Sequence, residues 1–288
     1  MSFNNIYQEN LNIFNECLQE YFSTNDLVPH IIYDAVKYSV FNGGKRVRPV
    51  LCISLAKSLG VDVNKILPHA LAIEFIHSYS LVHDDLPSMD NDDYRRGKLS
   101  THKKYGEAIG VLTGDALLNL AFETVLNKPN FDLLDAKALK ILAEYSGYSG
   151  MIKGQVLDLE GEATKNYTKE NLYEIIVNKT SKLITAPLLI ASTLGGGKYF
   201  DTLKEYGFSL GYLFQITDDI FDVTETLESI GKTPQKDKDK ITAINVFGLD
   251  GAKEQANIAY EYCLSLLSDK PELTFLREFT EYIYNRKN

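Results

Sequence analysis

Two long stretches of this chain are apolar on nearly every side, and each runs directly into a cluster of aspartates. That pairing restricts the fold more than any other feature. Residues 66–86 carry Leu67, Ala70, Leu71, Ile73, Phe75, Ile76, Tyr79, Leu81 and Val82. Residues 203–223 carry Phe208, Leu210, Tyr212, Leu213, Phe214, Ile216, Ile220 and Phe221. A helix apolar all round belongs in the centre of a bundle. By contrast, Ala252, Ala256, Ala259, Cys263 and Leu266 form one stripe at helical spacing, with Lys253, Glu254 and Glu261 off it, as in an outer helix. Strict alternation over a strand length is hard to find. Gly and Pro gather between the helices, at Asn42-Gly43-Gly44, Gly195-Gly196-Gly197 and Gly231 to Pro234. The expected fold is all-α, one domain over residues 1–288.

Composition narrows the function. With 39 acids against 30 bases the formal charge is −9, which argues against wholesale nucleic-acid binding and against an anionic membrane surface. Cys17, Cys52 and Cys263 are odd in number and widely spaced, with no C-x-x-C pair, so burial as small hydrophobes is expected. The opening residues have neither a basic region nor an apolar one, so no secretory signal is expected. The apolar run Leu183 to Leu194 is interrupted by Thr185, Pro187 and Ser192 and is too short to span a bilayer. The expected compartment is the cytoplasm, without membrane insertion.

The first acidic cluster reads His83-Asp84-Asp85-Leu86-Pro87-Ser88-Met89-Asp90-Asn91-Asp92-Asp93-Tyr94-Arg95-Arg96-Gly97. Carboxylates at the end of a buried helix repel one another and lose solvation, so something must neutralise them. Pro87 lacks an N–H and disturbs the helix, which can bring Asp90 back toward Asp84. In the second cluster, Phe214 to Asp222, Gln215, Asp218 and Asp222 fall at i, i+3 and i+7 on one helical face. Hard oxygen donors with no His or Cys among them favour Mg²⁺ or Ca²⁺ over zinc. An EF-hand fits poorly, because Arg95 stands where its Gly is needed and Thr101 where its Glu is needed. Mg²⁺ held by a few carboxylates takes its other ligands from water and phosphate oxygens.

Phosphate would require cations nearby. The densest basic segment is Gly43-Gly44-Lys45-Arg46-Val47-Arg48-Pro49, which lacks P-loop spacing but offers forked and point charges suited to a diphosphate. Arg95 and Arg96 follow the first acidic cluster directly, and Lys179-Thr180 and Lys232 are further candidates. His77 stands two helical turns before Asp84, either as a core residue or as a ligand contact.

Together these motifs resemble the trans-prenyl diphosphate synthases, specifically the bacterial short-chain, farnesyl-diphosphate-synthase-like group. The signatures are GGKRVRP (43–49), HSYSLVHDDLPSMDNDDYRRG (77–97), GEAIGVLTGDALL (106–118), KTSKL (179–183), FQITDDIFD (214–222) and GKT (231–233). The resemblance implies a bundle around a deep central cavity, usually in a homodimer, with Mg²⁺ as cofactor. Asp84, Asp85 and Asp90, and opposite them Asp218, Asp219 and Asp222, would bridge the metal to an allylic diphosphate. Arg95, Lys179 and Lys232 would bind that diphosphate, and Thr180 and Gln215 would stabilise the allylic cation. Gly44, Lys45, Arg48, His77 and Arg96 would hold isopentenyl diphosphate.

Tyr79 and Ser80 stand five and four positions before Asp84, about one helical turn down. An aromatic there resembles the floor of C15-forming members, so a farnesyl product is expected, with C20 and C10 products as rivals. A non-catalytic partner subunit would lack one acidic motif, and a terpene cyclase would need one diphosphate site rather than two. Two segments depart from the pattern: Lys98-Leu99-Ser100-Thr101-His102, where x-Pro-Thr-x-His is common, and Lys240-Ile241-Thr242-Ala243, where Lys-x-Thr-Tyr is common. The second leaves Lys240 in doubt as a diphosphate contact.

Overall fold

The computed structural model describes residues 2–23, 30–165, 168–228 and 240–285. Within these the chain is all-α apart from one short hairpin, as expected. It divides into two compact units, Met1–Leu139 and Lys140–Asn288.

The first unit contains α1 (Phe3–Ser23), α2 (His30–Val40), α3 (Val47–Ser58), α4 (Val63–Asp84), α5 (Thr101–Tyr105) and α6 (Glu107–Leu126). Helix α4 is the apolar helix expected over 66–86, and it lies at the centre of its unit, packed by α1, α2, α3 and α6. Phe14, Leu18, Leu51, Leu55, Ile73, Phe75 and Ile76 are fully enclosed there. Each contributes roughly 1.5–3 kcal/mol of burial. The buried polar residue Asn10 ties α1 to α3, its Nδ2 donating to Ser54 Oγ at 2.8 Å. Helix α7 (Leu133–Ser146) contains the unit boundary.

The second unit continues with α8 (Met151–Thr164), α9 (Lys169–Ile175), a π-helical segment (Ile176–Ser181), α10 (Lys182–Leu194), α11 (Phe200–Glu228), α12 (Ala243–Leu266) and α13 (Thr274–Asn285). Every residue from Leu183 to Leu194 is buried, so the longest apolar run of the sequence is a core helix. On α12 the stripe Ala252, Ala256, Ala259 and Cys263 is buried and Lys253, Glu254 and Glu261 are exposed, as the spacing predicts, while Leu266 at its end is half-buried. Tyr206 closes α11 onto α13, its hydroxyl donating to the Leu276 carbonyl at 3.0 Å. Cys52 and Cys263 are buried and Cys17 half-buried. Burial pushes all three thiols up, Cys17 to about 11.

Two features lie outside the sequence reading. A two-stranded hairpin pairs Tyr94–Arg95 (β1) with Lys98–Leu99 (β2). Its turn residues Arg96 and Gly97 both have positive φ, 53° and 76°, as a tight two-residue hairpin turn requires. Strands of two residues are too short for an alternating pattern to show. Secondly, α6 is, among the described residues, the one helix long and apolar enough to cross a membrane by length and composition, and only 33% of that window is buried.

Candidate active site

In the first unit the site begins where α4 stops. Pro87 has no N–H to continue the helix, and the chain turns back on itself. Asp90 N donates to the Asp84 carbonyl at 2.8 Å and Asp92 N to that of Asp85 at 3.1 Å. Asn91, at φ 51°, takes the left-handed conformation that this reversal needs. The six-residue gap between Asp84 and Asp90 is thereby closed, as the sequence predicts, and both residues are partly exposed.

Asp85 points elsewhere. It is buried, and its Oδ1 accepts from Arg95 Nε at 2.9 Å and also from Arg95 Nη2. Burial raises its pKa, and the Arg95 contact works against that rise. The sequence reading groups Asp85 with the metal ligands, and in the structure its Oδ1 holds Arg95. Beside this pair lies a small cavity lined by Ser39, Asn42, Ser78 and Thr101 together with Leu81 and Val82.

The basic segment begins as a loop, Gly43 to Arg46, between α2 and α3, and ends with Arg48 in the first turn of α3. Gly43 and Gly44 stand at φ 87° and 114°, and Arg46 at 51°. A side chain at Gly44 would be excluded as well as strained, because a Cβ there would stand 2.5 Å from Arg96 Nη1. Arg96 Nη1 donates to the Gly43 carbonyl, so the hairpin and the loop share this contact. Arg46 turns inward, its Nη1 meeting Glu74 Oε1 at 2.5 Å and its Nη2 donating to the Val40 carbonyl at 2.5 Å. Lys45 is exposed.

Arg48 is held down to about 10, by burial first and by Arg96, with Glu74 acting the other way. His77 is held well below its ordinary value by burial and then by Arg48, Arg96, Arg46 and Arg95, so its imidazole is neutral at pH 7. The predicted residues Arg48, His77 and Arg96 are thus neighbours, and Arg96 lies against Gly44. Tyr79 is buried further back on α4, its ring centroid 5.9 Å from that of His83. Burial, and then Asp84, pushes its hydroxyl up to about 12. Ser80 turns its hydroxyl onto its own helix, donating to the His77 carbonyl at 3.0 Å.

In the second unit Lys179 and Thr180 lie in the π-helical segment, an irregularity that frequently marks functional sites. Helix α8 approaches its backbone closely, since a Cβ at Gly154 would stand 2.1 Å from Lys179 N. One turn further along α8, Asp158 takes Lys179 in an ion pair, Nζ to Oδ2 at 2.5 Å. Thr180 Oγ1 donates to Gln215 Oε1 at 2.9 Å, and Gln215 Nε2 donates to Asp219 Oδ1 at 2.9 Å. The other Asp219 oxygen accepts from Ala243 N, the first residue of α12, at 2.7 Å. Asp219, predicted among the metal ligands, is buried and accepts one hydrogen bond on each oxygen. On the same helix Asp218 is partly exposed and Asp222 exposed. Lys240 reaches Glu162 at 3.9 Å, and Lys232 lies outside the described residues.

Two residues here escape the sequence reading, Glu74 and Asp158, and Arg46, read as part of the basic segment, turns inward to the first of them. Glu74 had a visible signal, as a single acid inside the most apolar helix of the chain, which calls for a buried base. Asp158 had a weaker one, an acid four positions after a helical glycine.

Each unit thus sets aspartates beside a cation that another acid holds, Arg95 by Asp85 in the first and Lys179 by Asp158 in the second, and these are the group types that suit diphosphate chemistry. The Polyprenyl synthetase family profile matches residues 29–273, and the chain belongs to that family. It is a prenyltransferase. It is 42% identical over 230 residues to the farnesyl diphosphate synthase of Micrococcus luteus, covering 78% of this chain and 79% of that one. It is 41% identical over 235 residues to a chloroplastic geranylgeranyl pyrophosphate synthase of Capsicum annuum, covering 79% and 63%. A Helicobacter pylori geranyltransferase solved in complex with magnesium and isoprenyl diphosphate superposes with a TM-score of 0.78 at 33% identity, covering 96% of each chain.

Proposed function

We propose that the protein joins isopentenyl diphosphate head-to-tail to dimethylallyl or geranyl diphosphate, giving farnesyl diphosphate and free diphosphate. The observation that carries this reading is the return of Asp90 onto Asp84. It places two carboxylates at the end of a buried helix, in the same unit as Lys45, Arg48, His77 and Arg96.

The donor sets fit Mg²⁺. Among the described residues no group of three or more His, Cys, Asp or Glu forms a closed site. Sets of one or two carboxylates, completed by water and phosphate oxygens, suit Mg²⁺ rather than zinc. In one unit Asp84 and Asp90, with Asp85 assisting, would hold it, and in the other Asp218, with Asp219 and Asp222, is a second such set. When bound, Mg²⁺ supplies charge neutralisation on the departing diphosphate.

Arg95, Lys179 and Lys232 bind the allylic diphosphate and take up the charge that develops as its C1–O bond breaks. Asp85 and Asp158 position the first two of these cations. Thr180 Oγ1 and Gln215 Oε1, joined to each other and steadied by Asp219, turn their oxygen dipoles to the allylic cation. Gly44 gives the loop its turn, and Lys45, Arg48, His77 and Arg96 hold isopentenyl diphosphate. The electron pair of its C3–C4 double bond forms the new bond to C1. C2 then loses a proton to the released diphosphate. No enzyme nucleophile enters the sequence of steps, and exclusion of water protects the cation.

One catalytic domain spanning both units is part of this reading, supported by a single family profile across residues 29–273. So is a homodimer. Val111 and Leu112 on α6, and Ile152, Val156 and Leu159 on α8, are exposed apolar side chains of the kind a second copy covers. On this reading α6 is an interface helix of a cytoplasmic enzyme. The test is to incubate purified protein with Mg²⁺, isopentenyl diphosphate and geranyl or dimethylallyl diphosphate and to identify the product. A C15 product is expected. A mainly C20 product would overturn the assignment of Tyr79 as the floor, and no condensation with either allylic substrate would overturn the enzyme reading.

A further inference from the structure

Helix α1 precedes the residues matched by the family profile, yet it reaches the basic loop. Tyr7 Oη donates to the Lys45 carbonyl at 2.6 Å. The loop around Lys45 has positive φ at two flexible glycines, Gly43 and Gly44, and at Arg46, where it costs strain, so its shape depends on what holds it from outside. Three elements do so at three successive points. The hairpin holds Gly43 through Arg96, α1 holds Lys45 through Tyr7, and α4 holds Arg46 through Glu74.

The anchor on α1 is itself firmly seated. Phe14 and Leu18 are fully buried, Asn10 bonds to Ser54 of α3, and Lys57 of α3 pairs with Glu9 at 2.6 Å. Tyr7 therefore stands on a fixed support. Its hydroxyl, not the ring, meets the loop, and the ring packs against Phe3 with centroids 5.8 Å apart.

We infer that Tyr7 is a positioning residue for isopentenyl diphosphate: by holding the Lys45 peptide from α1 it aims the Lys45 ammonium at the diphosphate of that substrate. The inference rests on the assignment of Lys45 to the isopentenyl diphosphate site. Losing one hydrogen bond that orients a charged contact corresponds to about a threefold to tenfold change in affinity. Tyr7→Phe keeps the ring and the seat of α1 and removes only the donor.

The experiment measures steady-state kinetics with both substrates for the wild type, Tyr7→Phe, Lys45→Ala and the double variant, with melting temperatures recorded for each. Tyr7→Phe is expected to raise KM for isopentenyl diphosphate about threefold to tenfold. The allylic KM, kcat and melting temperature should stay near wild type. In the Lys45→Ala background the same change should have almost no effect, because the group being aimed is gone. If Lys45→Ala raises that KM but Tyr7→Phe does not, Tyr7 has no positioning role and the inference is overturned. If Tyr7→Phe acts equally in both backgrounds, or shifts both KM values and kcat together, its role is general packing and the inference is again overturned. If Lys45→Ala leaves KM for isopentenyl diphosphate unchanged, the assignment of Lys45 fails and the inference falls with it.

Discussion

Replacing Glu74 by glutamine tests how the basic loop is built. Glu74 is 2% exposed and its partner Arg46 7%, so both charges are out of water. Removing one partner of such a pair strands the other, at a cost of about 3–5 kcal/mol. Glutamine moderates this, because its oxygen still accepts from Arg46 Nη1 and Arg46 Nη2 still donates to Val40. A charged hydrogen bond is exchanged for a weaker one and the guanidinium loses its counter-charge, for a net loss of about 2–3 kcal/mol. For a chain of this size that corresponds to a melting temperature about 3–5 °C lower. Thermal denaturation followed by circular dichroism measures it. The loop should loosen with the pair, so KM for isopentenyl diphosphate should rise while the allylic KM changes little. The double variant Arg46→Met/Glu74→Leu should regain most of the stability, since neither charge is then buried alone. A Glu74→Gln melting temperature within about 1 °C of wild type would refute the reasoning.

Three further outcomes follow from the same geometry. Tyr79→Ala should move the product from C15 toward C20 by opening the floor behind Asp84, as read by mass spectrometry of the reaction, and an unchanged C15 product would remove Tyr79 from that role. Asp85→Asn should raise the allylic diphosphate KM by releasing Arg95 while leaving KM for isopentenyl diphosphate near wild type, and equal effects on the two would contradict its assignment. His69 is held down from 6.5 to about 4 by burial first and by Lys128 and Lys65, with the Asp135 contact opposing. A histidine lowered in this way contributes stability above pH 6.5 and loses it as the pH falls from there to 4, about 3 kcal/mol in all. His69→Gln should flatten that part of the denaturation profile, and identical profiles for the two proteins would rule the effect out.

Helix α4 and the stripe on α12 were legible in the sequence because a 3.6-residue period survives burial. The return of Asp90 onto Asp84 was legible too, because Pro87 dictates where the helix must fail. Roles inside each acidic cluster were not. Adjacent aspartates look alike in sequence, yet Asp84 is partly exposed and Asp85 buried, and only the folded hairpin shows that Arg95 takes the second. The same holds for Asp218 and Asp219, where the start of α12, twenty-four residues on, claims one of the two. Arg46 and Arg48 are likewise separated by a left-handed backbone that no residue type announces, since Arg46 is not glycine. The π-helical turn carrying Lys179 leaves no periodic signature in six residues.

The most direct test of the account is the turnover of Asp84→Ala at saturating isopentenyl and geranyl diphosphates with Mg²⁺. Asp84 is partly exposed at a helix end, so the change should leave the melting temperature near wild type. The account predicts a fall in kcat of at least about a hundredfold, the scale of losing one preorganised group at a developing charge. Turnover at the wild-type rate would take Asp84 out of the reaction and contradict the site described above.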